Sequence, residues 1–174
     1  MNLQDNELLL RPIEIEDIDF LRDMINDPEM ERYVVGWSRP VSRHKQEEWI
    51  RSENSGNHIR YVIDCNGTPI GMASLTELDF KNATAELNIK LASTQWKKHG
   101  YGTRALRLLI AYAFQELNIN CLSASILEYN AASIALFEKL GFHREGILRE
   151  RVFKGDAYHS LYVYSLLKKE FRHA

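Results

Sequence analysis

Long apolar runs, repeats and low-complexity segments are missing from this chain, and each absence removes a class of protein. The sequence has 174 residues with only 2 cysteines, 4 prolines and 9 glycines. No apolar run approaches the roughly 20 residues that a membrane-spanning helix needs, so no membrane association is expected. Met1 to Arg11 is polar and then briefly apolar at Leu8, Leu9 and Leu10, which does not read as a secretion signal. Cys65 and Cys121 lie far apart, each in or beside an apolar run and without a second cluster of ligands. They read as buried thiols of a cytoplasmic protein, not as a disulfide, a nucleophile or a metal site. A large charge of one sign is also missing. The formal net charge of -2 gives no global attraction to nucleic acid or to an anionic membrane.

What is present suits one ordinary domain spanning residues 1–174, with 45% apolar residues for a core and 26% charged residues. Leu8 to Arg11 reads as a first strand stopped by Pro12. Ile18, Leu21, Met24 and Ile25 recur at helical spacing, and Asp27-Pro28 ends that helix. Ser42 suits the N-cap of a second helix that carries Trp49 and Ile50 inward. Tyr61 to Cys65 and Ile70 to Leu75 flank Asn66-Gly67, the pair favoured in tight hairpins. Ala85, Leu87, Ile89 and Leu91 alternate with Glu86, Asn88 and Lys90, as in a strand with one buried face.

The strongest helical stripe follows, from about Thr103 to Leu117, through Leu106, Leu109, Ile110 and Ala113. Leu122, Ala124 and Ile126 mark another strand. Asn130 suits the N-cap of a helix bearing Ile134, Phe137 and Leu140, and Gly141 suits its close. Two last strands, roughly Ile147 to Phe153 and Tyr158 to Leu167, flank Lys154-Gly155-Asp156. The order is α/β (α+β) with a mixed sheet, without the regular alternation of a doubly wound fold.

Leu87 through Gln115 contains no Asp or Glu, yet holds Lys90, Lys97, Lys98, Arg104 and Arg107. Inside it, Lys97-Lys98-His99-Gly100-Tyr101-Gly102-Thr103 leads into the long helix. A helix N-terminus offers unpaired amides and partial positive charge, and glycine lets a phosphate approach the backbone. Together these make a pyrophosphate cradle. The spacing matches neither a P-loop nor a dinucleotide fingerprint.

This loop resembles the Gln/Arg-x-x-Gly-x-Gly/Ala signature of GNAT acetyltransferases. The segment Asn130 to Phe142 looks like the family's second signature. Arg144 to Glu150, the opening Leu10-Arg11-Pro12 and the Gly155-x-x-Tyr158 region are similar to the subfamily of ribosomal-protein and spermidine N-acetyltransferases. The resemblance covers nearly the whole chain. It implies a single-domain fold whose mixed central sheet splays in the middle, with helices on both faces and acetyl-CoA in the gap as co-substrate. Pantetheine would pair with backbone around Ile89 and Leu91, and the pyrophosphate would meet the amides from His99 through Gly100, Tyr101 and Gly102 to Thr103. Lys97 stands where the family has Gln or Arg, and lacks the fork geometry of Arg. Phe137 stands where many members place a tyrosine whose hydroxyl protonates the leaving thiolate.

An alkyl amine must lose a proton before it attacks a thioester, because its pKa is typically about 10. Glu86, on the polar side of its strand, is the candidate base. Ser133 is the candidate acid, with Tyr129 a second source of a hydroxyl. Asn130 and Phe137 are expected near the cofactor. Tyr33, Trp37, Arg39 and Trp49 belong to the region that usually walls the acceptor. His159 and Ser160 stand where relatives often carry His-Asp. The expected activity is N-acetylation of a primary amine: a polyamine, an amino sugar, an amino acid or a protein α-amine. A homodimer is compatible with the resemblance. The alternative, motivated by Phe137 and Ser160, is an acetyl-CoA-binding sensor without turnover.

Overall fold

The computed structural model describes residues 1–36, 39–52, 56–96 and 99–171. Its strands are β1 (Leu3–Asp5), β2 (Leu8–Arg11), β3 (Ile59–Cys65), β4 (Thr68–Asp79), β5 (Thr84–Leu91), β6 (Cys121–Leu127), β7 (His143–Lys154) and β8 (Ala157–Leu167). They form one sheet in the order β1-β2-β3-β4-β5-β6-β8-β7. Every neighbouring pair is antiparallel except β5 and β6, which are parallel. The helices are α1 (Ile18–Ile25), α2 (Pro28–Glu31), α3 (Arg43–Ser52), α4 (Tyr101–Gln115) and α5 (Ala131–Lys139). This is the expected mixed α+β sheet.

Two apolar layers lie on opposite faces of the sheet. On one face α4 packs Leu106, Leu109 and Ile110 against Leu75, Leu87 and Leu122, joined by Phe137 of α5. On the other, Leu21 and Met24 of α1 and Met30 of α2 gather over Met72, with Trp49 and Ile50 of α3 at the edge. The alternation of each strand therefore distributes side chains between two helical layers. Asn66 and Gly67, at φ 51° and 81°, make the β3–β4 turn that their residue types favour. Gly71 serves close approach. A Cβ there would lie 2.2 Å from the carbonyl oxygen of Lys90, so glycine lets β4 close on β5.

Several elements differ from the expected ones. β1 precedes the first expected strand and pairs with β2 through a turn at Asn6-Glu7. The short α2 follows Asp27, whose carboxylate accepts from the Glu29 amide at 2.8 Å. α4 starts at Tyr101, not Thr103, because Gly100 ends the loop in the left-handed region at φ 82° and the chain is helical from the next residue. β7 begins at His143, four residues early, and its outer positions are largely exposed. No helix among the described residues is long and apolar enough to cross a membrane.

Candidate active site

β5 and β6 pair only through Thr84↔Cys121, Ala85↔Leu122 and Glu86↔Ser123. Beyond Glu86 the strands part. The carbonyl of Ala83 accepts from the amides of Asn120 and Cys121, and the Ser123 hydroxyl donates to the Ala85 carbonyl at 3.4 Å. Backbone groups of odd-numbered residues thus face β6, while the Lys90 carbonyl meets Gly71 of β4. Strand alternation then turns the amides and carbonyls of Leu87, Ile89 and Leu91 into the gap. Among the described residues no strand pairs with them on that side.

A cleft of about 320 Å³ occupies this gap, with β5 residues Glu86 to Lys90 on one wall and β6 residues Ala124 to Leu127 on the other. Asn130, Ser133 and Phe137 of the α5 region line it too, and Tyr33, Val34 and Val35 form a third side. Positions 130, 133 and 137 share a helical face. The Asn130 side chain caps α5 by accepting from the Ser133 amide at 3.2 Å. The Ser133 backbone is thereby satisfied. Phe137 is buried, its ring 5.0 Å from that of Phe142 and nearly perpendicular to it.

At the far end of β5 the start of α4 meets the cleft. A Cβ on Gly102 would sit 3.7 Å from Ile89, 3.8 Å from Leu91 and 3.6 Å from Leu136, so this helix turn rests on the parted strand and on α5. The Arg104 amide makes the first α-helical bond, to Gly100. The amides of Tyr101, Gly102 and Thr103 belong to the first turn, which lacks intrahelical acceptors. The Tyr101 side chain is turned aside. Its ring lies 6.0 Å from that of Trp96, and the neighbouring Cys65 thiol holds the phenol above its ordinary pKa. His99 is exposed, its ring 6.1 Å from that of Tyr101.

A larger cavity, about 710 Å³, lies on the opposite face of β5 beneath α1 and α3. Trp49, Gln46, Arg60, Ser74 and Thr76 line it, and so do Glu86, Asn88 and Lys90. Glu86, Asn88 and Lys90 therefore border both spaces, and Glu86 is the carboxylate among them. Asn88 is held by donating to the Thr76 hydroxyl at 3.0 Å. Burial, with Arg60 nearby, lowers the Lys90 ammonium to a pKa of about 8.

A sequence-family model for the acetyltransferase (GNAT) domain matches residues 7–143. The chain belongs to the GNAT acetyltransferase family. It is an N-acetyltransferase, and it is 30% identical over 176 residues to an uncharacterized N-acetyltransferase, p20, of Bacillus licheniformis, covering 97% of each chain. It is 28% identical over 149 residues to the spermidine N(1)-acetyltransferase of Escherichia coli K12, covering 86% of this chain and 80% of the other. Its fold superposes with a TM-score of 0.88 on a ribosomal L7/L12 α-N-protein acetyltransferase in complex with coenzyme A. That protein is 17% identical, and the match covers 96% of this chain and 98% of the other.

Within this acetyltransferase the structure gathers Glu86, Ile89, Asn130, Ser133 and Phe137 around one cleft. Leu91 and Gly102 adjoin it through their mutual contact. Lys97, Lys98 and Trp37 lie outside the described residues. Tyr129 is placed elsewhere. Its hydroxyl donates to the Arg32 carbonyl, and burial beside Glu31 and Tyr33 raises its pKa. Arg104, counted in the basic window, is committed to Asp5 and Glu7, each at 2.6 Å. Beside Ser160 a carboxylate does stand, from the residue just past β6: Glu128 accepts from the Ser160 amide at 3.0 Å and lies 3.6 Å from His159. Asp17 is buried and takes both terminal guanidinium NH groups of Arg11 at 2.8 Å. Cys65 is buried, and burial with Glu145 and Glu170 raises the Cys121 thiol, so neither resembles an activated nucleophile.

Proposed function

We propose that acetyl-CoA occupies the gap between β5 and β6 while a primary amine enters the larger cavity, and that the acetyl group crosses at β5. One observation carries this reading: of the three β5 residues that border both spaces, Glu86 is the carboxylate and the last to pair with β6, so it stands where the strands part. Glu86 takes the proton from the amine, directly or through one water. The neutral nitrogen attacks the thioester carbonyl, the carbon–sulfur bond breaks, and the thiolate leaves with a proton. Backbone amides of Leu87, Ile89 and Leu91 supply donors for pantetheine and for the developing oxyanion. The first turn of α4, from Tyr101 to Thr103, offers amides to the pyrophosphate, with His99 and Lys97 beside it in sequence. Ser133 is the candidate donor to the leaving sulfur. Its hydroxyl makes no hydrogen bond to another described residue and stands on the cleft wall.

The test follows free thiol release from acetyl-CoA with panels of polyamines, amino sugars, amino-acid amides and peptides. Glu86→Gln should lower kcat by about a hundredfold or more, the range of general-base catalysis, while acetyl-CoA binding persists. Undiminished kcat in that variant would remove Glu86 from the reaction.

A further inference from the structure

Two buried polar side chains in the larger cavity have no hydrogen-bond partner among the described residues. Gln46 of α3 is only 4% exposed and Ser74 of β4 only 3%, and both line that space. The Gln46 backbone amide donates to the Ser42 carbonyl at 3.0 Å. Its carboxamide bonds no described residue, and neither does the Ser74 hydroxyl. Buried polar groups in folded proteins are nearly always hydrogen-bonded, so each exception calls for a reason.

The fold aims both groups at the same space. Met72 belongs to the apolar layer of α1 and α2, while Ala73 and Leu75 belong to that of α4. Strand alternation therefore turns Ser74 to the α1 side. Gln46 lies three residues before Trp49 and four before Ile50, which pack on that same layer, so its side chain points from α3 toward the sheet. A leucine at 46 and an alanine at 74 would continue the apolar layer. The chain carries a carboxamide and a hydroxyl instead. Their neighbours do not satisfy them. Asn88, opposite Ser74 on β5, donates to the Thr76 hydroxyl at 3.0 Å. Thr76 is opposite Glu86, so Ser74 and Glu86 are diagonal neighbours on one face of an antiparallel pair, about 7–8 Å apart. The unpartnered hydroxyl thus stands a few bond lengths from the carboxylate at which transfer is placed.

We propose that Gln46 and Ser74 determine acceptor specificity by hydrogen-bonding an uncharged polar group, an amide or a hydroxyl, that lies a few bonds from the reacting amine. This rests on the transfer reading above and gives it a substrate class. A carboxamide and a hydroxyl each donate and accept, and they are matched by a group that does the same. A plain alkyl amine would displace water from Gln46 and Ser74 without replacing its hydrogen bonds. A polyamine chain offers donors only, and leaves the Gln46 NH2 without an acceptor. The matching chemistry is found in the amide of an amino-acid amide or peptide and in the hydroxyls of an amino sugar.

Two matched pairs separate these sources: leucine amide against isoamylamine, which lacks the carboxamide, and glucosamine against cyclohexylamine, a ring without hydroxyls. Spermidine completes the set. Each is measured twice, for thiol release from acetyl-CoA and for calorimetric binding to CoA-loaded protein, with the wild type, Gln46→Leu and Ser74→Ala. The amines differ in basicity, so the readout is the change in each polar-to-apolar ratio between wild type and variant, from which intrinsic reactivity cancels. In at least one pair the ratio should fall by about fivefold or more in each variant, the scale of a neutral hydrogen bond, and spermidine should lose less. The pair that responds identifies the source, and if one variant does not fold the other decides. Ratios that both substitutions leave unchanged, or a loss with spermidine as large as with the polar acceptors, would overturn the proposal. Selective binding that depends on Gln46 and Ser74 without any thiol release would instead overturn the transfer reading and leave this one standing.

Discussion

At the scale of single residues, the site turns on where a hydroxyl can reach the leaving sulfur. Phe137 has none, and its ring is packed against Phe142. Tyr129 has one but spends it on the Arg32 carbonyl. Ser133, a turn away from Phe137 on the same wall, remains. Ser133→Ala should therefore reduce kcat by about a hundredfold with little change in acetyl-CoA affinity, as expected for loss of a general acid. Phe137→Tyr introduced into that variant should restore part of the rate, because position 137 lines the same cleft. Steady-state thiol release from the single and double variants checks both. An unchanged kcat in Ser133→Ala would assign protonation of the thiolate to solvent. The placement of Glu86 and Phe137 was open to inspection in the sequence, because strand and helix periodicity assigned each to a face. The commitment of Tyr129 was not, since its partner lies 97 positions away.

At the scale of elements, local chemistry placed the walls of the cleft well. Asn66-Gly67 formed the hairpin, the alternation from Ala85 to Leu91 formed β5, and Asn130 capped α5, all within a few residues of their own signals. Very short elements escaped. β1 has three residues and α2 four, too few to show a period, and both depend on partners elsewhere. The basic window was misleading in one respect: Arg104 is spent on Asp5 and Glu7 of the first hairpin, so α4 begins near the cleft with less free charge than its composition suggests. Its amides then matter more. Gly100→Ala meets nothing within 4 Å, so its cost is conformational, about 1–2 kcal/mol for an L-residue in the left-handed region. That variant should show a lower urea midpoint and a raised KM for acetyl-CoA, with kcat at saturation nearly kept. Asn130→Ala should also lose about 1 kcal/mol through its cap. Its signature should differ, falling on kcat, because the α5 turn it holds carries Ser133. Identical kinetic profiles for the two variants would contradict this division between cofactor cradle and reacting end.

At the scale of the molecule, one strand divides two spaces, and the residues just after α2 help close the cleft. Tyr129 holds that segment at the Arg32 carbonyl. Lys154, at the end of β7, holds it at the carbonyl and carboxylate of Glu31. Tyr33, Val34 and Val35 are thereby set against the cleft. None of this was legible in the sequence, because it joins residues more than ninety positions apart. Lys90 was visible there only as one of several bases, and its burial comes from the packing of α1 and α3 over the sheet. That burial carries a stability consequence with a definite sign. Its folded pKa, about 8, lies below the ordinary 10.5. Below the folded value both the folded and unfolded chains hold the proton, and the folded chain bears the full cost of the buried charge. Between the two values the unfolded chain binds more protons, so stability rises with pH and the cost fades. Arg60 adds repulsion, and Glu86, Glu48 and Lys45 are the other charged side chains lining the cavity among the described residues. Lys90→Met should consequently be more stable than the wild type at neutral pH by about 1–3 kcal/mol, with the difference shrinking toward pH of about 10. Urea denaturation across that range measures it. A less stable variant would mean that packing around the lysine stem outweighs the burial of its charge.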